Sequence, residues 1–312
     1  MAKILVIKHG ALGDVVLATG AFAAIRKHHK DDNITILTTP VYAAMLRASP
    51  YFDEVWIDTR PKLYHFKSFF ALIEKIRRGN FQRIYDLQTS ERTSWYFKLL
   101  KRPIPEWVGI AKNSSHRHNT PERKSLHTVE RQRQQLEIAG IKNIPLPDIS
   151  WLTSVIGQFN LPENYALIVP GGSEHRPGKR WPAHYYGDVC IWLVENGIAP
   201  VIIGTRAEAP VISTIESICP EVLNLIGQTS FFELAELARE ANFAIGNDTG
   251  PIHIISATGC KTLVLFSHFS NPKLCAPRGD NVTLIQEHSL VNLSIERIKK
   301  WVNNINFMKE KI

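Results

Sequence analysis

The sequence is poor in cysteine. Its 312 residues hold four, Cys190, Cys219, Cys260 and Cys275, and no two of them form a Cys-x-x-Cys pair. Thiols so few and so scattered exclude a disulfide framework, and the missing pairs leave no zinc or thioredoxin-like motif, so a reducing, cytoplasmic setting is predicted. Long apolar runs are lacking too. Residues 4–7 are apolar, but Lys8 ends the run far short of the roughly 7–15 residues of a signal-peptide core, so no export signal is expected. The stretches 15–25 and 252–266 are interrupted by Gly, Ser, Thr or Lys and fall short of the ~20 residues a bilayer span needs. With 18 Gly and 18 Pro, 44% hydrophobic and 21% charged residues, collagenous, low-complexity and disordered classes are disfavoured. The length is that of two domains at about 150 residues each.

Acidic residues are scarce in one half only. Residues 1–152 carry 24 Lys and Arg against 14 Asp and Glu, whereas residues 153–312 carry 13 against 15. A basic first half calls for an anionic partner: nucleic acid, an acidic membrane surface, or a phosphorylated or carboxylated substrate.

Apolar runs of strand length alternate with segments of helical spacing. Strands are predicted at 3–8, 34–38, 54–57 and 83–87, with helices at 15–26, 42–48 and 66–77 between them. Periodicity lapses through the proline-bearing stretch 145–162, which places a domain boundary after residue 152. The second half repeats the pattern, with strands at 165–169, 199–203, 243–245 and 262–266 and helices at 183–196, 208–218, 231–240 and from Gly250. A last amphipathic helix spans 294–311. Such alternation implies parallel strands joined by crossover helices, hence an α/β chain of two doubly wound, Rossmann-like domains, 1–152 and 153–312, with ligands at the carboxyl ends of the strands facing a cleft.

Four segments could carry chemistry. Gly10-Ala11-Leu12-Gly13-Asp14 lies between the first strand and its helix; there Asp14 serves either as a helix cap or as a reactive carboxylate. The glycine spacing is not that of a dinucleotide fingerprint, which argues against a nicotinamide enzyme. Pro170-Gly171-Gly172-Ser173 through Lys179-Arg180-Trp181-Pro182 follows the strand at 165–169. A glycine-rich loop with Ser173, Lys179 and Arg180 suits a diphosphate, its amides and hydroxyl cradling the oxygens and its cations offsetting the charge. Arg180 breaks the Walker pattern, so ATP hydrolysis is not indicated. In Asn247-Asp248-Thr249-Gly250-Pro251-Ile252-His253, Asp248 or Thr249 is placed to cap a helix with Pro251 in its first turn, a second anion seat; His253 there is either a core histidine or a ligand contact. Residues 112–133 hold six Lys and Arg, among them Arg117, Arg123 and Lys124, and read either as solvated surface or as a patch for an anionic acceptor.

Together with Gly204-Thr205 and nearby Glu208, these blocks resemble glycosyltransferase family nine, the heptosyltransferases that build the inner core of lipopolysaccharide. The resemblance implies a GT-B fold, with a C-terminal helix closing the chain. It also implies an ADP-activated heptose bound mainly by the second domain and an acceptor bound mainly by the first. No metal and no cofactor are implied. On this resemblance Asp14 is the general base of an inverting transfer and Lys179 meets the donor phosphates. Ser173, Arg180, Thr205, Glu208, Asp248, Thr249, Gly250 and His253 complete the donor site. Gly10 and Gly13 fall to the acceptor; the basic stretch has no counterpart in the family pattern, and Arg117, Arg123 and Lys124 are assigned to the acceptor on its charge alone.

An anionic lipid A–Kdo acceptor fits the basic first half, with peripheral contact at the inner membrane face. The rival readings are a sugar-nucleotide epimerase of similar build and a basic nucleic-acid-binding protein. Against the latter, no helix-turn-helix, zinc-finger or RRM signature is present.

Overall fold

The computed structural model describes residues 1–61, 66–172 and 175–307, and these form two compact units, Met1–Leu152 and Thr153–Ile312. The first unit runs β1 (Lys3–Ile7), α1 (Leu12–Val16), α2 (Thr19–His28), β2 (Asn33–Thr38), α3 (Pro40–Ala48), β3 (Glu54–Ile57), α4 (Phe66–Arg78), β4 (Arg83–Asp86), α5 (Glu91–Leu99), β5 (Glu106–Gly109), β6 (His116–Arg117) and α6 (Thr128–Ile138). The second runs β7 (Tyr165–Val169), α7 (Ala183–Glu195), β8 (Ala199–Ile202), α8 (Ala209–Ile218), β9 (Leu223–Asn224), α9 (Phe231–Glu240), β10 (Phe243–Asn247), α10 (Gly250–Ala257), β11 (Thr262–Phe266), α11 (Pro272–Cys275), β12 (Val282–Gln286) and α12 (Ile295–Phe307).

Each unit holds one six-stranded sheet. The orders are β3-β2-β1-β4-β5-β6 and β12-β11-β10-β7-β8-β9, and every pairing is parallel. Val6 pairs with Ile36 on one side and Tyr85 on the other; Ile168 pairs with Ile202 and Ile245. Both sheets thus have the doubly wound order, which reverses direction between β1 and β4 and between β7 and β10. In such sheets ligands bind beyond the carboxyl ends of the strands at the point of reversal.

Strands buried on both faces explain the unbroken apolar runs: Ile4 to Ile7, all of β7 and all of β11 are buried. In the first unit α4 and α5 cover one face, where Phe69, Leu72, Ile73, Ile76, Tyr96 and Phe97 meet Leu5, Ile7, Ile84 and Trp107. In the second, Ile298, Val302 and Ile305 of α12 join the core with Ile168, Tyr186 and Leu265. The helix predicted over 294–311 is observed to Phe307, and its last residues lie outside the described ones.

Local chemistry starts the helices. Ser90 caps α5 through the amide of Thr93, Ser230 caps α9 through that of Glu233, and Pro opens α3, α8 and α10. One helix expected over 15–26 is instead two. The Thr19 hydroxyl donates to the Val16 carbonyl at 2.8 Å and accepts the Asp148 amide at 2.9 Å, turning the chain between α1 and α2.

Among the described residues no helix is long and apolar enough to cross a membrane.

Candidate active site

In the first unit the loop after β1 is tied to both neighbouring strands. The His9 amide donates to Gln88 Oε1 at 2.9 Å, and its carbonyl accepts from Thr39 Oγ1 at 2.9 Å. Gly10 follows with φ of +128°, and a Cβ there would stand 2.6 Å from the Tyr42 ring, so only glycine fits. Gly13 is buried inside α1, its carbonyl accepting from the Leu17 amide. Asp14 sits in the first turn of α1, half-buried. Ala11, not Asp14, is the residue that precedes the helix, and no side chain caps it. The carboxylate therefore has no capping role, and among the described residues no hydrogen bond holds it.

Behind it lie charged side chains that the motifs did not single out. Lys8 is fully buried, its Nζ donating to the Leu87 carbonyl at 3.3 Å. Burial pushes its ammonium pKa down, while the charges of Asp14 and Asp86 pull it back up. Asp86, the last residue of β4, is buried as well, and burial raises its carboxyl to about 6 even though it accepts the Thr89 amide. Beside them His9 Nε2 lies 3.2 Å from Asp58 Oδ2. Tyr96 donates its hydroxyl proton to the same carboxylate at 2.5 Å, and Arg92 donates to the Tyr96 oxygen at 2.6 Å. Desolvation holds His9 down at about 4, so it is neutral at physiological pH. A signal was available for part of this set: Lys8 and Asp86 are charges at the ends of apolar strands, where an unpaired charge is costly.

The basic stretch 112–133 is ordered and divided. Arg117, on the edge strand β6, and Lys124 are exposed. Arg123 is half-buried, and its Nε has no hydrogen-bond partner among the described residues. Burial and Arg131 press on its charge, and Asp86 offsets them.

In the second unit the segments after β7 and β10 are stitched together by Asn247, which is fully buried. Its Nδ2 donates to the carbonyls of Pro170 (2.8 Å) and Gly171 (3.0 Å), and its Oδ1 accepts from the Trp181 amide (3.0 Å) and the Tyr186 hydroxyl (3.1 Å). This frame sets Lys179 Nζ 2.6 Å from Asp248 Oδ2, a carboxylate that also accepts from Ser270 Oγ. His253 Nε2 stands 3.9 Å from Asp248 Oδ1. Thr249 is the residue before α10 and Gly250 its first, but neither Thr249 nor Asp248 caps the helix with its side chain. That corrects the capping expected of them: Lys179 and Ser270 draw the Asp248 carboxylate away. Gly178 packs beneath an aromatic ring, since a Cβ there would meet Phe269 at 2.2 Å.

Glu208 and Thr205 are linked to each other and to the glycine-rich loop. Glu208 accepts from the Thr205 amide (2.6 Å), the Thr205 hydroxyl (3.0 Å) and the Gly172 amide (3.2 Å). The Gly172 N–H, one of the amides expected to face a diphosphate, is therefore already paired. Arg180 donates from Nη2 to the Gly172 carbonyl at 2.7 Å, and its Nε is buried with no partner among the described residues. Ser173 lies outside the described residues. No group of three His, Cys, Asp or Glu among the described residues is arranged to hold a metal.

Residues 69–300 match the sequence profile of "Glycosyltransferase family 9 (heptosyltransferase)". The chain is 24% identical over 278 residues to lipopolysaccharide heptosyltransferase 3 of Escherichia coli, 81% of this chain and 80% of that one. A 31% match to lipooligosaccharide heptosyltransferase 2 of Haemophilus influenzae is shorter, spanning 37% of this chain and 34% of its relative. The fold is shared with the E. coli ADP-heptose lps heptosyltransferase II at a TM-score of 0.82, 18% identity and 99% of both chains. It is also shared with E. coli heptosyltransferase WaaC with ADP, at 0.76 and 17% identity, over 97% of this chain and 99% of that one. The two doubly wound units are those of a GT-B glycosyltransferase. The chain belongs to glycosyltransferase family 9, which favours the transferase over the epimerase and nucleic-acid readings.

Proposed function

We propose that the chain moves a heptose from an ADP-activated donor to an anionic lipopolysaccharide core acceptor, inverting the anomeric carbon without a metal. The observation that carries this reading is the Asp14 carboxylate, half-buried at the strand-order reversal of its sheet and engaged in no hydrogen bond among the described residues. Asp14 accepts the proton of the acceptor hydroxyl as that oxygen bonds to the anomeric carbon. The bond from that carbon to the diphosphate oxygen breaks on the opposite face, and ADP leaves. Lys179, Arg180 and the amides opening α10 stabilise the charge growing on the diphosphate, the task a divalent ion has in other transferases. His253, Thr249 and Gly250 line the same turn. Arg123, with Arg117 and Lys124 further out, attracts the acceptor's anionic groups.

Names support the substrates: the solved relative is described with ADP, and the sequence relatives are described as lipopolysaccharide or lipooligosaccharide heptosyltransferases. The test supplies ADP-heptose with and without a deacylated core acceptor and follows ADP release in the presence of EDTA. Acceptor-dependent release that survives chelation is expected. Release without acceptor would refute transfer, and loss restored by magnesium would refute the metal-free mechanism.

A further inference from the structure

Helices α4 and α5 lie side by side on their sheet. Phe69 of α4 meets Tyr96 of α5 with ring centroids 5.7 Å apart, and Arg92 lies 5.5 Å from the Phe69 ring. Next to that packed pair, Phe70 and Trp95 turn outward, 52% and 47% exposed. Two large aromatic side chains exposed on neighbouring helices are more than the single scattered apolar residue a solvated surface carries.

Each has a cation within reach along its own helix. Lys98 Nζ stands 4.4 Å over the Trp95 ring, and Lys67, three residues before Phe70, is exposed. Residues 66–105 hold nine Lys and Arg against three Asp and Glu, and one of those acids, Glu74, is taken up by Arg77 and Arg78. Half-exposed aromatic rings interleaved with lysines match the boundary between headgroups and acyl chains, where the rings settle and the ammonium groups reach the lipid anions. A protein partner is a poorer fit, because interface cores are depleted in lysine. The stretch 112–133 has charge but exposes no large apolar residue.

We propose that the outward face of α4 and α5, centred on Phe70 and Trp95, docks the protein onto an anionic phospholipid bilayer. The direction of the helices gives the contact a purpose. Both helices begin at the carboxyl edge of the sheet, α4 after β3 and α5 after β4, and Phe70 and Trp95 are each the fifth residue of their helix. Docking there sets the lipid against the unit that carries Asp14. This deepens the transfer reading, which supplies the lipid-linked acceptor, but the docking itself needs no sugar.

The experiment is co-sedimentation of the full chain with vesicles of phosphatidylglycerol and phosphatidylcholine, compared with phosphatidylcholine alone. Binding to the anionic vesicles that weakens with salt is expected. The pair Phe70→Ser and Trp95→Ser should lower it by about tenfold or more, and the pair Lys67→Gln and Lys98→Gln should flatten its salt dependence. The pair Arg117→Gln and Lys124→Gln should leave it unchanged. All these side chains are exposed, so melting temperatures should hold. Wild-type protein that ignores anionic vesicles, or a Phe70→Ser, Trp95→Ser variant that binds as wild type does, overturns the proposal. Release by the Arg117→Gln, Lys124→Gln pair instead would move the contact to 112–133 and also overturn it. The Phe70 and Trp95 variant should turn over a water-soluble acceptor normally. If no acceptor is turned over even by wild type, the transfer reading falls while the vesicle result stands.

Discussion

The Lys179 ammonium and the Asp248 carboxylate meet at 2.6 Å across 69 residues of sequence, one from the loop after β7 and the other from the end of β10. A long, flexible cation is thereby held in place before any diphosphate arrives, which lowers the ordering cost of binding. Removing it with Lys179→Ala should weaken ADP binding by about tenfold or more, as loss of a charge-assisted contact does, and slow turnover further. Calorimetry with ADP reads the first effect. Because the two residues act as a unit, Lys179→Ala combined with Asp248→Asn should cost less than the sum of the single changes, and strict additivity would separate them.

Asp14→Asn keeps the side chain's shape and removes its basicity. Turnover should drop by roughly 10²–10⁴-fold with ADP affinity intact. No cap or hydrogen bond among the described residues depends on the carboxylate, so the melting temperature should fall only by what the lost charge beside buried Lys8 costs. A rate within about threefold of wild type would discard Asp14 as the base.

Asn247→Asp tests the frame of the second unit. The substitution replaces the donor to Pro170 and Gly171 with a second acceptor facing two carbonyls in a fully buried place. A loss of about 3 kcal/mol in urea unfolding is expected, the scale of leaving buried polar groups unmatched. An unchanged midpoint would mean that the loop is held by other contacts.

The first unit should weaken in acid through His9. Its pKa is pushed down to about 4 in the folded protein, against an ordinary 6.5. Between those values the unfolded chain binds the proton and the folded one does not. Stability therefore falls as pH drops from 6.5 towards 4, by at most about 3 kcal/mol. His9→Gln cannot titrate, so its denaturation curves from pH 7 to 4 should lose that part of the slope. Parallel curves for the two proteins would refute the assignment.

Much of the fold was legible because burial wrote it into composition. The runs of β7 and β11 and the periodic α9 were readable to the residue, since each is a long apolar pattern ended by turn or capping residues. The edge strands β6 and β9, two residues each, carry no period to detect. The break between α1 and α2 depends on Asp148, 129 residues away, and no local window contains it. In the site, glycine spacing and the residues around 247–253 were visible. What Asp248 and Glu208 bind was not, because their partners Lys179, Ser270 and Gly172 come from other loops.

Gly178 and Phe269 show one more consequence of such long-range fits. The ring rests where the first carbon of any other side chain at 178 would stand, 91 residues earlier in the chain. The two positions thus share one volume, and changes at them are epistatic. Gly178→Ala alone forces the ring aside next to Lys179, whereas Gly178→Ala with Phe269→Ala returns the space. A variant library that scores each position separately would charge alanine at 178 with the cost of moving the Phe269 ring and miss the background in which that cost vanishes.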